Sequence, residues 1–223
     1  MAYILNIETS TTNCSVSLSS KGETLVLKED YGNGYSHAEK LHVYVEQVLK
    51  EAKISTLQLD AIAVSKGPGS YTGLRIGVSA AKGLAFALNI PLISVSTLEA
   101  LAHQVKADSG VIVPMLDARR LEVYSAIFDT KFNEVRAIEA QILDEKSFES
   151  FLSKGKVYFV GDGVSKTKAL IDNNNAVFIE NKLPSADQMS ALSFDKYKKS
   201  DTEDVAYFEP YYLKDFVAIK SKK

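Results

Sequence analysis

The sequence predicts an α/β protein made of two similar halves that face each other across a cleft. Three observations carry this. Residues 1–108 read strand-strand-strand-helix-strand-helix-strand-helix, and residues 109–223 run in nearly the same order. The first strand of each half ends on an acidic residue, Glu8 and then Asp117, a period of about 109 residues. In each half an apolar strand runs into a Gly-x-Gly loop, Gly67-Pro68-Gly69 and Gly161-Asp162-Gly163. Duplicated order of this kind gives two layered lobes, 1–108 and 109–223.

The elements follow in turn. "AYILNIE" is an apolar run suited to a buried strand. "NCSVSLSS" alternates, with Cys14, Val16 and Leu18 on one side, and Lys21-Gly22 turns the chain into the strand "ETLVLKE". Gly32, Asn33 and Gly34 break it. Ser36 and Glu39 have capping-box spacing. Behind them Ala38, Leu41, Val45, Val48, Leu49 and Ala52 form a helical apolar stripe. "DAIAVS" reads as a buried parallel strand. The glycine loop "SKGPGSYTGLRIGV" leads into a helix ending near Leu88, and "LISV" follows as a strand. Ser96 and Glu99 open a further helix with a second capping box. In the second half "VIVPML", "EVYSAIFD" and "EVRAIEAQIL" read as strands and "DEKSFESFLSK" as a helix. "VYFV" and "AVFIE" are strands; "SKTKALID" and "ADQMSALSFDKYKK" are helices.

Composition narrows the function classes. Lys plus Arg number 26 against 28 Asp plus Glu, so the chain lacks the basic footprint of a free-standing nucleic-acid binder. The basic end "KDFVAIKSKK" reads as a solvated tail. A single cysteine, Cys14, permits no internal disulfide and suits a reducing cytosol. The N-terminal "MAYILNIETS" turns polar too soon for a signal peptide, and no run approaches the length of a membrane helix. The expectation is a cytoplasmic protein.

The glycine loop is neither of the common phosphate loops. It lacks the Lys-[Ser/Thr] pair of a P-loop, and its G-x-G-x-x-x-G register misses the dinucleotide fingerprint. Glycines before a helix N-terminus still expose backbone N–H groups that can take an anion weakly. In the helix itself, Gly73, Gly77, Ala81 and Ala85 recur every four residues, the spacing that lets another backbone approach closely. Leu74, Ile76, Val78, Ala80, Leu84, Phe86 and Leu88 cover the remaining circumference. A helix apolar all round is buried on every side, here by its own sheet, by helix 36–52, by a second subunit, or by several of these.

Catalytic candidates are sparse. His37, His42 and His103 form no metal motif, and Cys14 reads as a buried thiol. Glu8 and Asp117, with hydroxyls in "TSTTN", would face the cleft. In a kinase they would hold Mg²⁺ or act as base; otherwise they anchor turns through loop amides. The nucleotide set on this reading is Glu8, Ser10, Thr11, Gly67, Gly69 and Asp117.

"ILNIETSTTNCSVSL", "VSKGPGSYTGLRIGVSAAKGLAFALNIPLISVSTLEALA", "MLDARRLEVYSAIF" and "FEPYYLK" together resemble the bacterial TsaB (YeaZ) family across nearly the whole chain. The resemblance implies a duplicated actin/Hsp70/sugar-kinase-like, ribonuclease H-like fold with mixed sheets. It implies a non-catalytic subunit of the machinery that places threonylcarbamoyl on the tRNA adenosine beside the anticodon. The implied partners are TsaD as a heterodimer, the ATPase TsaE in a ternary complex, and a second copy when the chain is alone. Contact with tRNA would be indirect. It implies no cofactor of its own, with ATP or ADP bound weakly if at all, no metal and no catalytic residue. Where TsaD carries the metal-binding H-M-E-G-H, this chain reads Thr97-Leu98-Glu99-Ala100-Leu101, with both histidines absent. The implied partner surface lies on helices 36–52 and 73–88, at Ala38, Leu41, Val45, Gly73, Gly77, Ala80, Ala81 and Leu84. The alternative is an ATP-dependent small-molecule kinase of the same fold, working through Glu8 and Asp117.

Overall fold

The computed structural model describes residues 2–31 and 36–214. The Gly32-Asn33-Gly34 break and the basic end beyond Lys214 lie outside the described residues.

The first sheet contains β1 (Tyr3–Glu8), β2 (Cys14–Ser20), β3 (Glu23–Asp30), β4 (Ala61–Gly67) and β5 (Leu92–Ser96), in the order β3-β2-β1-β4-β5. β1, β2 and β3 are antiparallel; β1, β4 and β5 are parallel. The second sheet repeats this arrangement. β6 (Val111–Asp117), β7 (Glu122–Asp129), β8 (Glu134–Ile142), β9 (Val157–Val160) and β10 (Ala176–Ile179) run in the order β10-β9-β6-β7-β8. Again the first three are antiparallel and the remaining pairs parallel. Even the glycines recur: Gly67 and Gly161, each where a central parallel strand ends, take φ values of +108° and +121° that only glycine adopts without strain.

Helices α1 (His37–Ala52) and α2 (Tyr71–Leu88) cover one face of the first sheet. Period-2 alternation sends Leu5, Ile7, Val16, Leu18, Ile62 and Val64 to that face, where they meet Leu41, Val45, Val48, Val78 and Ala81. The opposite face receives Ile4, Ala61, Ala63, Ile93 and Val95. Its cover comes from the other half of the chain: α6 (Ala186–Lys198) lays Ala186 and Met189 on it. Reciprocally, α3 (Thr97–Ala102) of the first half packs Leu98, Leu101 and Ala102 against Ile112, Leu116, Ala126 and Val160 of the second sheet. The sheets thus divide between residues 96 and 111, while the helices between them are exchanged. The outer face of the second sheet is closed by α4 (Glu149–Leu152) and α5 (Val164–Leu170) around Val113, Met115, Phe148 and Phe159.

The serine side of β2 is buried too. Ser17 donates to the Ala186 carbonyl at 2.8 Å, the Ala186 N–H donates to Ser15 Oγ at 3.0 Å, and Ser193 donates to Asn6 Oδ1 at 2.6 Å. Alternating serine reads as a solvated face in sequence; here α6 supplies its hydrogen-bond partners.

Two local expectations change and one holds. Ser36 does not cap α1; its hydroxyl donates to Asp30 Oδ2 at 3.2 Å. Ser96 does cap α3, accepting from the Glu99 N–H at 3.4 Å. Within "DEKSFESFLSK" only Glu149–Leu152 is helical, because Phe148 ahead of it is in the left-handed region.

Candidate functional site

The glycine loop packs onto the turn after β1. Ser70 caps α2 by accepting from the Gly73 N–H at 3.3 Å, and its own N–H donates to the Ser10 carbonyl at 2.6 Å. A Cβ at Gly69 would lie 2.5 Å from that same carbonyl oxygen. At Gly73 it would run into the Thr9 carbonyl, and at Gly77 into Thr9 Oγ1, both well inside the 3.0 Å that real Cβ atoms respect. Thr9 is fully buried, and its hydroxyl donates to the Gly73 carbonyl at 2.8 Å. His37 closes the other side, its Nε2 lying 2.8 Å from the Thr11 carbonyl, and burial lowers the imidazole pKa. The small residues therefore let the chain meet itself.

This corrects the partner surface. Gly73, Gly77, Ala81, Leu41 and Val45 are buried in the chain's own first lobe and present nothing to another molecule. Spacing by four places residues on one helix face but does not say which neighbour takes that face; the sheet and the Thr9 turn take it. Ala38, Ala80 and Leu84 do line an open groove of about 770 Å³ between α1 and α2, with Ile76, Ser79 and Gly83. A Cβ at Gly83 would meet nothing within 4 Å.

A second cavity, of about 620 Å³, lies between the lobes. Ser10, Thr11 and Gly69 line one wall; Asp117, Arg119 and Asp162 line the other. Glu8 and Gly67 are not among its lining residues. Glu8 is fully buried, and its Oε1 accepts from the Ser10 N–H at 2.6 Å and from Ser65 Oγ at 2.9 Å. Burial raises its carboxyl pKa. Glu8 thus anchors the turn from beneath, and the two carboxylates paired by sequence do not share the cleft. Asp117 is exposed and holds Lys166 at 2.8 Å and the Arg119 N–H at 2.6 Å. Tyr211, Tyr212 and Lys214 also line this cavity. No chemistry in the sequence singled them out; "FEPYYLK" stood only as a motif.

Among the described residues no three His, Cys, Asp or Glu side chains gather as a metal site. Thr97 and Leu101 are fully buried, and Leu101 belongs to the core on the second sheet. Hydrocarbon fills that position. His103 stacks on Phe132 at 3.8 Å, away from both cavities.

Comparison with known proteins agrees with this architecture. The family model described as TsaD, tRNA N6-adenosine threonylcarbamoyltransferase, matches residues 33–221. The tRNA threonylcarbamoyladenosine biosynthesis protein TsaB of Bacillus subtilis is 33% identical, covering 80% of this chain and 80% of its own. That of Escherichia coli is 31% identical over 97% of this chain and 96% of its own. The chain belongs to the TsaB (YeaZ) family. A crystal structure of a Pseudomonas aeruginosa protein with similarity to peptidase YEAZ superposes with a TM-score of 0.85 at 26% identity, covering 96% of this chain and all of that one. The fold is the duplicated two-lobed α/β fold that the sequence predicted, with two mixed five-stranded sheets. No helix among the described residues is long and apolar enough to cross a membrane.

Proposed function

We propose that the chain acts in tRNA threonylcarbamoyladenosine biosynthesis as a non-catalytic subunit that binds and activates TsaD, with TsaE joining the pair. The observation that carries this is the α1–α2 groove. Ala38, Ile76, Ala80 and Leu84 line an open, largely apolar trough on a lobe whose own core is already complete beneath it. An apolar concavity on a filled lobe is suited to a partner's side chains. The interior supports a non-catalytic role: a buried Leu101 core stands where the related transferase would place a metal ligand, and Glu8 is engaged in holding a turn.

The actin-like fold implies a nucleotide in the cleft, and these residues suit one poorly. The Ser10 carbonyl, Gly69 and the α2 N-terminus are packed against one another, so a phosphate finds little open backbone there. The opposite wall mixes Asp117 and Asp162 with Arg119 and Lys214, and Asp117 and Lys214 are already paired, with Lys166 and Glu122, so it offers a polyphosphate little unpaired positive charge. The chain on this reading carries no nucleotide of its own, resides in the cytosol, pairs with itself through the same groove when alone, and meets tRNA only through its partner.

The test is the mass of the mixture. The chain and TsaD from one organism, combined at micromolar concentration, should scatter light as a 1:1 complex, and TsaB-family chain alone should transfer no threonylcarbamoyl. Gly83→Arg, which fits the fold and fills the groove, should abolish the complex. Normal complex formation by that variant would remove the groove from the interface, and no complex with the unaltered chain would overturn the proposal.

A further inference from the structure

The cleft and the groove meet at the first turn of α2. Tyr71 and Thr72, in the first turn of α2, line both cavities. Arg75, one turn further along, lines the groove and stands over the Tyr71 ring, its guanidinium carbon 4.8 Å from the centroid. On the cleft side Tyr212 packs on the same ring, centroid to centroid 4.9 Å. Burial raises the Tyr212 hydroxyl pKa, and the nearby positive charge of Arg75 opposes that rise. One exposed guanidinium on the groove and one aromatic residue of the cleft therefore share the Tyr71 ring.

Tyr212 belongs to a stretch that ties the lobes together. The Tyr211 N–H donates to the Lys66 carbonyl at 2.7 Å, at the end of β4 in the first lobe. The Tyr211 carbonyl lies against Gly67, where a Cβ would come within 2.8 Å of it. Lys214 pairs with Glu122, the first residue of β7 in the second lobe. Upstream, Lys82 of α2 donates to the Phe208 carbonyl at 2.9 Å, so the approach to this stretch is held on the first lobe.

We propose that Tyr211–Lys214 is a strap latching the two lobes across the cleft, and that Arg75 makes its hold conditional on an empty α1–α2 groove. This rests on the groove reading above. A guanidinium can lie over the Tyr71 ring that Tyr212 packs on or turn to a carboxylate brought by a groove occupant, and the two demand different directions of the same fork. An occupant that presents an acidic side chain to Arg75 releases Tyr212, and linkage makes the effect reciprocal: a loosened strap raises the occupant's affinity by the same factor. The occupant's stated chemistry is an apolar face bearing one carboxylate near Tyr71.

Amide hydrogen exchange of the full-length chain tests this at Tyr211, whose N–H reports the latch directly. In the chain alone, Arg75→Ala and Tyr212→Ala should each speed exchange of the 205–214 peptide by about fivefold, the factor expected for losing one exposed cation–aromatic contact. Tyr212→Phe, which keeps the ring and loses the hydroxyl, should fall between. Adding TsaD at saturation should speed the same peptide, and Tyr212→Ala should bind TsaD more tightly by the same factor. Exchange in Arg75→Ala equal to that of the unaltered chain overturns the latch. A complex that forms, by light scattering on the same sample, with strap exchange unchanged or slowed overturns the link to the groove while leaving the proposed function standing. No complex overturns the proposed function and the link with it, and the Arg75→Ala comparison still decides the latch.

Discussion

Two alanine substitutions in one helix should move stability in opposite directions. Gly77 and Gly83 both lie in the interior of α2, so intrinsic propensity favours alanine at each by about 1 kcal/mol. At Gly83 the new methyl meets nothing within 4 Å, and the full gain is realised. A chain of this size should then melt about 2–4 °C higher. At Gly77 the methyl enters the space of Thr9 Oγ1. Thr9 is fully buried, so its side chain must rotate and give up the 2.8 Å bond to the Gly73 carbonyl, or the turn must shift. Losing the bond costs about 1 kcal/mol and overpacking about 1–3 kcal/mol, which leaves Gly77→Ala destabilised by roughly 1–3 kcal/mol after the propensity gain. Urea and thermal midpoints followed by circular dichroism measure both. Thr9→Ala removes the obstructing oxygen, so the Thr9→Ala/Gly77→Ala pair should be more stable than the two single changes sum to. A Gly77→Ala protein as stable as the Gly83→Ala protein would refute the close fit of α2 on the Thr9 turn, and an additive pair would refute Thr9 as its cause.

Other outcomes follow from the same packing. Leu101→Ala should cost about 2–5 kcal/mol in urea denaturation, since that position is second-lobe core; a neutral result would mean the site is not filled. Burial raises the Glu8 carboxyl above its ordinary 4.5, so the folded state holds that proton more tightly than the unfolded state. This group's contribution is therefore complete below pH 4.5 and declines as pH rises through its raised folded value. Glu8→Gln, titrated beside the unaltered chain by urea midpoints, should lose that decline; identical pH profiles would contradict it. Ser17→Ala should cost about 1 kcal/mol by removing its hydrogen bond to the Ala186 carbonyl at the start of α6, with unchanged stability marking that contact as replaceable by water.

Much of the architecture was legible because it rests on local periodicity. The ten strands among the described residues, the repeated order and the paired Gly-x-Gly loops each show as runs, alternations and breaks a few residues long. The chain's family membership was legible as well, because it lies in contiguous motifs. Less was legible wherever a side chain's role depends on a distant neighbour. Ser15 and Ser17 look solvated until α6, some 170 residues onward, covers them. The exchange of α3 and α6 between sheets cannot be read from the boundary near residue 108, because either sheet offers an apolar face of the right width. Gly73 and Gly77 announce a close approach, yet only the placed Thr9 turn shows that the approaching backbone is the chain's own. The same holds for Glu8, whose position at a strand end suggested an open cleft and whose partners, Ser10 and Ser65, bury it. Sequence by itself determined which segments are strands and helices, that they come twice, and to which family they belong. Tertiary structure alone decided which faces remain open, because burial is a property of what arrives from elsewhere in the chain.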